Sequence, residues 1–155
     1  MEIPPFTDFL EANRASVYRF LVVAVGPGDA EDCFQETFLA ALRAYPRLTD
    51  GSRLDRWAMK VASRKAIDHH RARARRPIPT DSVPDGAGTE ETGADAGDPL
   101  WPAVRALPPR QRVAVVHRHV FDRSYAQIAE LMGSTEGTAR ANVSHGVRRL
   151  REQMS

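Results

Sequence analysis

The sequence predicts an all-α protein of two small helical domains, an N-terminal bundle over residues 1–76 and a C-terminal four-helix domain over 100–155, joined by a flexible acidic linker at 77–99. Three observations carry this. Apolar residues recur every three or four positions, and no segment alternates with period two, so helices are expected and strands are not. Residues 77–99 hold four prolines, four glycines and no large apolar residue beyond Ile78 and Val83, too little apolar surface to offset the entropy of ordering. Charge is segregated along the chain. Residues 1–50 carry net −4, 51–76 carry +7, 77–99 carry −6 and 100–155 carry +5, for an overall +2.

The N-terminal part reads as three helices. The first runs from Thr7 to Val25, with Phe9, Leu10, Val17, Phe20, Leu21 and Ala24 on a helical period. "GPGD" breaks the chain, and Asp29 is a suitable N-cap for the second helix. Glu31 and Asp32 then fall in the first turn, where the helix dipole favours acids. That helix places Ala30, Phe34, Phe38, Ala41, Leu42 and Tyr45 toward the core and stops before Pro46. After the loop "PRLTDGS", a third helix spans Arg53 to Arg75, with Leu54, Trp57, Ala58, Val61 and Ala62 inward.

The C-terminal part reads as four helices. Leu100 to Leu107 is ended by Pro108-Pro109, and Arg110 to Phe121 follows. "SYAQIAELMG" has the capping-box pattern of Ser124 and Gln127. Gly133 supplies a left-handed turn, and Ser134 can cap a long last helix reaching Gln153, with Ala139, Val143, Val147 and Leu150 as its apolar seam. A short helix containing small Ala129, a glycine turn and a longer polar-faced helix form the pattern of a helix-turn-helix. Such a motif presents the first half of its second helix to the DNA major groove. Thr138, Arg140, Ala141, Asn142 and His145 lie off the seam in that half. Arg140 suits guanine and Asn142 suits adenine. Arg148, Arg149 and Arg151 lie further along and suit backbone phosphates.

The second basic block, "RLDRWAMKVASRKAIDHHRARARR", offers Lys60, Arg64, Lys65, Asp68, His69 and Arg71 on an outward helix face, with a basic end that suits phosphate. Set against both basic blocks is the acidic stretch "DAEDCFQETF", which phosphate would repel.

Several classes are excluded or disfavoured. The longest apolar run, Phe20 to Val25, falls far short of the roughly 18 residues that cross a bilayer. "MEIPPFTDF" has neither a basic nor an apolar leader region. A single cysteine, Cys33, forms no internal disulfide and is expected to pack in the core. These features predict a cytoplasmic protein. His69-His70 and His117-x-His119 lack the i, i+4 spacing of a chelating helix face. No nucleophile motif and no phosphate-binding glycine loop is present, and no cofactor is implied. Alone, the helix-turn-helix also fits a repressor or activator that binds its operator without polymerase; a hydrolase would need metal at the histidines.

"DAEDCFQETFLAALRAY", "WAMKVASRKAIDHHR" and "LPPRQRVAVVHRHVFDRSYAQIAELMGSTEGTAR", in that order around a non-helical spacer, resemble the extracytoplasmic-function (group IV) sigma factors of the bacterial sigma-70 family. The resemblance implies a non-catalytic alternative sigma factor that binds core RNA polymerase, directs it to promoters and assists promoter opening. It implies that the acidic helix, through Asp32, Gln35, Glu36 and Leu39, meets the β′ coiled coil, with further contact to the β subunit. It implies that Lys60, Arg64, Lys65, Asp68, His69, Arg71 and the loop at Leu48 to Ser52 serve the −10 element and its melted strand. The C-terminal domain, through Thr138, Arg140, Ala141, Asn142, His145, Arg148 and Arg149, would dock on the duplex −35 element. An anti-sigma factor is a further possible partner. The family often has Asn where Arg64 stands, and a basic residue where Asn142 stands.

Overall fold

The N-terminal apolar stripe becomes a helix, α1 (Phe6–Val25), that buries Phe9, Asn13, Val17, Phe20, Leu21 and Ala24 along one side. These positions are three or four apart, as a single buried helix face requires. The buried amide of Asn13 is satisfied within the helix, its Nδ2 donating to the Phe9 carbonyl at 2.9 Å. This is a computed structural model, and it describes residues 2–75 and 98–154.

Gly26 ends α1 with φ 93°, its N–H donating to the Val22 carbonyl, and Pro27 immediately begins α2 (Pro27–Ala44). Asp29 is therefore not the N-cap. Proline at the first helical position has the right φ and no N–H to leave unpaired, so the cap falls at Gly26 and the helix starts three residues earlier. α2 buries Ala30, Cys33, Thr37, Phe38 and Ala41. Leu42, expected inside, is 48 % exposed. A short 3-10 turn (Tyr45–Arg47) carries the Tyr45 ring against Phe6 and Phe9, at centroid distances of 5.1 and 5.3 Å, and Tyr45 donates its hydroxyl proton to the Pro4 carbonyl. Trp57 joins this aromatic cluster 5.5 Å from Phe9.

α3 (Leu54–Arg75) is packed on several sides. Ala58, Ala62 and Ala66, one helical turn apart, are buried with Met59, Ser63 and Ile67. Small side chains let neighbouring backbones come close, and α3 packs against α1 and α2 and also against the C-terminal helices.

Those are α4 (Leu100–Arg105), α5 (Pro109–Val115), α6 (Tyr125–Met132) and α7 (Glu136–Met154), so seven α-helices and no strand occur among the described residues. α5 runs on into a widened π turn at Val116–Val120. α7 lies tightly on α5 at Gly146, where a Cβ would come 2.6 Å from the Val115 Cγ2. Ser134 does not cap α7. Thr135 does, its Oγ1 accepting from the Thr138 N–H at 3.0 Å, which moves the helix start to Glu136. The two halves do not stand apart: one continuous apolar cluster runs from Phe9 and Phe20 through Ala62 to Val113, Ile128 and Val143. Most of the expected linker at 77–99 lies outside the described residues, as does the side chain of Arg71.

Candidate polymerase and promoter surfaces

On α2, the residues left over once the core face is satisfied form a stripe. Asp32, Gln35, Glu36 and Leu39 are all exposed, at spacings of three, one and three. Leu39 is 50 % exposed, and Leu42 extends the stripe by one more turn. Gln35 donates to Glu31 at 3.2 Å, holding the acidic edge in place. The stripe thus pairs carboxylates with two aliphatic side chains. The sequence pattern assigned Leu42 to the core because its spacing from Phe38 fits a core face as well as it fits Leu39. Beneath the stripe, burial pushes the Cys33 thiol up to about 12, with the carboxylates of Glu36 and Asp29 adding to the effect. A thiol so held stays protonated and unreactive, in keeping with a core role.

On α3, Lys60, Arg64 and Asp68 are exposed and one turn apart. Lys65 and His69 are half-buried, and His69 turns toward α2, with its Nε2 3.4 Å from an Asp29 carboxylate oxygen. The expected single outward face is therefore split into an open triad and a flank against α2. Two clefts follow. One, of about 390 Å³, is walled by Ala40, Ala44 and Trp57 with Lys60, Arg64 and Lys65 at its rim. The other, of about 220 Å³, puts Lys60, Arg64 and Asp68 across from Arg110, Met132 and Gly133 of the C-terminal half. The loop before α3 is tied down by Asp50, which accepts from the Ser52 N–H and hydroxyl at 2.9 and 3.0 Å.

The helix-turn-helix forms as its residues dictate. Ser124 and Gln127 make a reciprocal capping box at the start of α6, and Gly133 ends it in the left-handed conformation at φ 66°. Ser134 donates its N–H back to the Ala129 carbonyl at 2.9 Å. Ala139, Val143 and Gly146 are the buried residues of α7, with Gly146 against α5. Thr138, Arg140, Ala141, His145, Arg148 and Arg149 are exposed, while Asn142 is half-buried. The Arg140 guanidinium carbon sits 4.6 Å from the centre of the Tyr125 ring.

A polar chain joins the two halves. His117 is fully buried, and its ring stacks on Phe20 of α1 at 4.7 Å with an interplanar angle of 2°. Its Nδ1 lies 3.1 Å from the Arg123 guanidinium, which can only donate. Nδ1 is therefore the acceptor and Nε2 carries the proton, which goes to Ser63 Oγ of α3 at 2.9 Å. Ser63 in turn donates to the Met59 carbonyl at 2.8 Å. Burial, and secondarily the Arg123 charge, lower the His117 pKa to about 3. Arg112 of α5, also buried, donates to the Ala24 carbonyl of α1 at 3.1 Å. At the rim, Glu130 of α6 faces Arg56 and Arg53 at 3.7 and 3.9 Å. Sequence reasoning missed Ser63, Arg112, His117 and Tyr125. Their one visible signal was polarity inside otherwise apolar helical stretches.

Residues 9–76 match the family model for sigma-70 region 2, and residues 99–150 match that for sigma-70 region 4. The chain is 32 % identical over 154 residues to RNA polymerase sigma factor CarQ of Myxococcus xanthus, covering 95 % of this chain and 87 % of that one. The chain belongs to the sigma-70 family, in its extracytoplasmic-function group. It is 30 % identical over 141 residues to ECF RNA polymerase sigma factor SigC of Mycobacterium tuberculosis, covering 88 % of this chain and 76 % of the relative. Its fold is similar to that of the sigma factor RpoE in a structure with the anti-sigma factor NepR from Bartonella quintana, with a TM-score of 0.67, 22 % identity and 96 % of each chain covered. As a sigma factor, the protein is a transcription initiation factor that directs RNA polymerase to promoters. No helix among the described residues is long and apolar enough to cross a membrane.

Proposed function

We propose a division of labour along the chain. Residues 1–76 bind core polymerase and the −10 element, 77–99 tether, and 100–155 bind the −35 element. Asp32, Gln35, Glu36 and Leu39, extended by Leu42, dock on the polymerase β′ coiled coil. Carboxylates there set encounter rate and register, and the two leucines supply the desolvated centre. Lys60, Arg64 and Asp68 with the loop at Leu48 to Ser52 hold the melted −10 strand, with Lys65, His69 and Arg71 flanking. Thr138, Arg140, Ala141, Asn142 and His145 face −35 bases, and Arg148 and Arg149 face phosphates. The protein acts in the cytoplasm, as a factor without catalysis of its own. An anti-sigma factor, of the kind bound to the Bartonella quintana relative, is its candidate regulator.

One observation carries this reading: the exposed carboxylates Asp32 and Glu36 stand on α2, while the exposed basic residues Lys60 and Arg64 stand on α3 and Arg140, Arg148 and Arg149 on α7. A surface that repels phosphate must meet something other than DNA. The closed arrangement adds a requirement. The −10 and −35 elements are separate stretches of the promoter, yet α3 touches α6. The halves must part along the Ser63–His117 seam before both elements are held at once. Run-off transcription with purified core polymerase tests the whole reading. Transcripts whose start sites share −10 and −35 sequences are expected. Protein that grips DNA alone and never joins core polymerase would refute it.

A further inference from the structure

We propose that Tyr125 is a positioning residue that holds Arg140 in place to read a −35 base, an inference that rests on the assignment of α7 to that element. Tyr125 is the first residue of α6, and the Ser124–Gln127 capping box fixes its backbone. Its half-buried ring has two guanidinium carbons beside it, Arg118 at 4.3 Å and Arg140 at 4.6 Å. Arg118 is itself anchored, donating to the Arg123 carbonyl at 3.1 Å, and Arg123 reaches the buried His117. An unbroken series of contacts therefore leads from the core to the exposed Arg140.

No carboxylate among the described residues pairs with Arg140, so the ring is the group that orders it. A guanidinium attracted by a ring face keeps its in-plane N–H donors free. Those donors are the ones that fork onto guanine O6 and N7. Ordering the long side chain before DNA arrives removes an entropy loss from recognition itself, which is how preorganisation sharpens binding. The ring does this through its charge distribution, so shape alone does not replace it. Tyr125 is not expected to touch a base. Its effect appears as base preference transmitted through Arg140.

The test uses the full chain assembled with core polymerase and a promoter library randomised across the −35 element. Arg140→Ala first locates the base pair whose preference depends on that arginine, expected to fall from about tenfold or more to near unity. Tyr125→Leu is expected to erase most of the preference at that same pair, while Tyr125→Phe keeps it. Replacing Tyr125 by pentafluorophenylalanine keeps the ring's shape and reverses its charge distribution, and is expected to behave like Tyr125→Leu. The fluorinated variant decides the matter if Tyr125→Leu does not fold. Full preference in the fluorinated protein, alongside loss in Arg140→Ala, overturns the role of Tyr125 and leaves the α7 assignment standing. Unchanged preference in Arg140→Ala removes Arg140 from base reading, and the proposal falls with it.

Discussion

His117 donates its Nε2 proton to the hydroxyl of Ser63, 54 residues away in sequence and 2.9 Å away in space, and this bond crosses the seam between the two halves of the protein. Both groups are fully buried. Ser63→Ala leaves the imidazole N–H without its acceptor, a loss of about 1–3 kcal/mol for a buried donor. Urea unfolding at pH 7.5 is expected to show that loss. By contrast Glu130→Ala, which removes the exposed pairs to Arg53 and Arg56, is expected to change stability by under about 1 kcal/mol.

The same histidine makes stability depend on pH. In the folded chain its pKa is lowered to about 3 by burial and by Arg123, against an ordinary value of 6.5. Above pH 6.5 it is neutral in both folded and unfolded states, and the stabilisation is intact. As pH falls below 6.5 the unfolded chain takes up a proton that the folded chain refuses, until the folded pKa is reached. Each pH unit in that window costs about 1.4 kcal/mol from this one group. Unfolding measured at pH 7 and at pH 5.5 should differ accordingly, and His117→Gln should flatten the dependence. An equal slope in that variant would assign the effect to other groups.

Much of this architecture was legible in the residue pattern, and the misreadings have physical causes. Spacings of three and four located the three N-terminal helices and the last one, prolines and caps bounded the other three, and the Ser124 capping box and the Gly133 turn stood as their chemistry required. Two caps were misread locally. Pro27 outcompetes Asp29 as a starter because it needs no N–H partner, and Thr135 lies one residue nearer the helix than Ser134. Leu42 was misplaced because periodicity cannot tell a core leucine from one kept for a partner. The seam was invisible for a deeper reason. Ser63, Arg112 and His117 are buried by elements distant in sequence, and no local pattern records tertiary contact.

Close packing at Gly146 gives a third expectation. A Cβ there would stand 2.6 Å from Val115 Cγ2, on a β-branched side chain with little rotamer freedom. Gly146→Val should force α5 and α7 apart and destabilise by about 1–3 kcal/mol, beyond any gain in helix propensity. Thermal unfolding followed by circular dichroism checks it.

Glu36→Lys tests the acidic stripe without disturbing the fold. Glu36 is exposed, so stability should move by less than about 0.5 kcal/mol. Reversing its charge places a cation against a surface selected for anions, and affinity for core polymerase is expected to fall by about tenfold, or 1.4 kcal/mol. Competition for core enzyme against the parent protein reads this directly.

The two kinds of arginine on α7 should separate by salt. Arg140 sits in the first half of the helix, while Arg148 and Arg149 lie two turns on, exposed on the same helix. A phosphate contact releases condensed counterions. Removing one should therefore lower the slope of log affinity against log salt by about 0.9, uniformly across promoter sequences. Arg149→Ala is expected to do that and to leave base preference unchanged. Arg140→Ala should lose about 1–3 kcal/mol at one base pair and relax preference there. Holoenzyme binding to promoter fragments over a salt series, with parent and base-substituted −35 elements, distinguishes the two. A sequence-dependent loss for Arg149→Ala, or a uniform one for Arg140→Ala, would exchange their roles and shift the base-reading face toward the end of the helix.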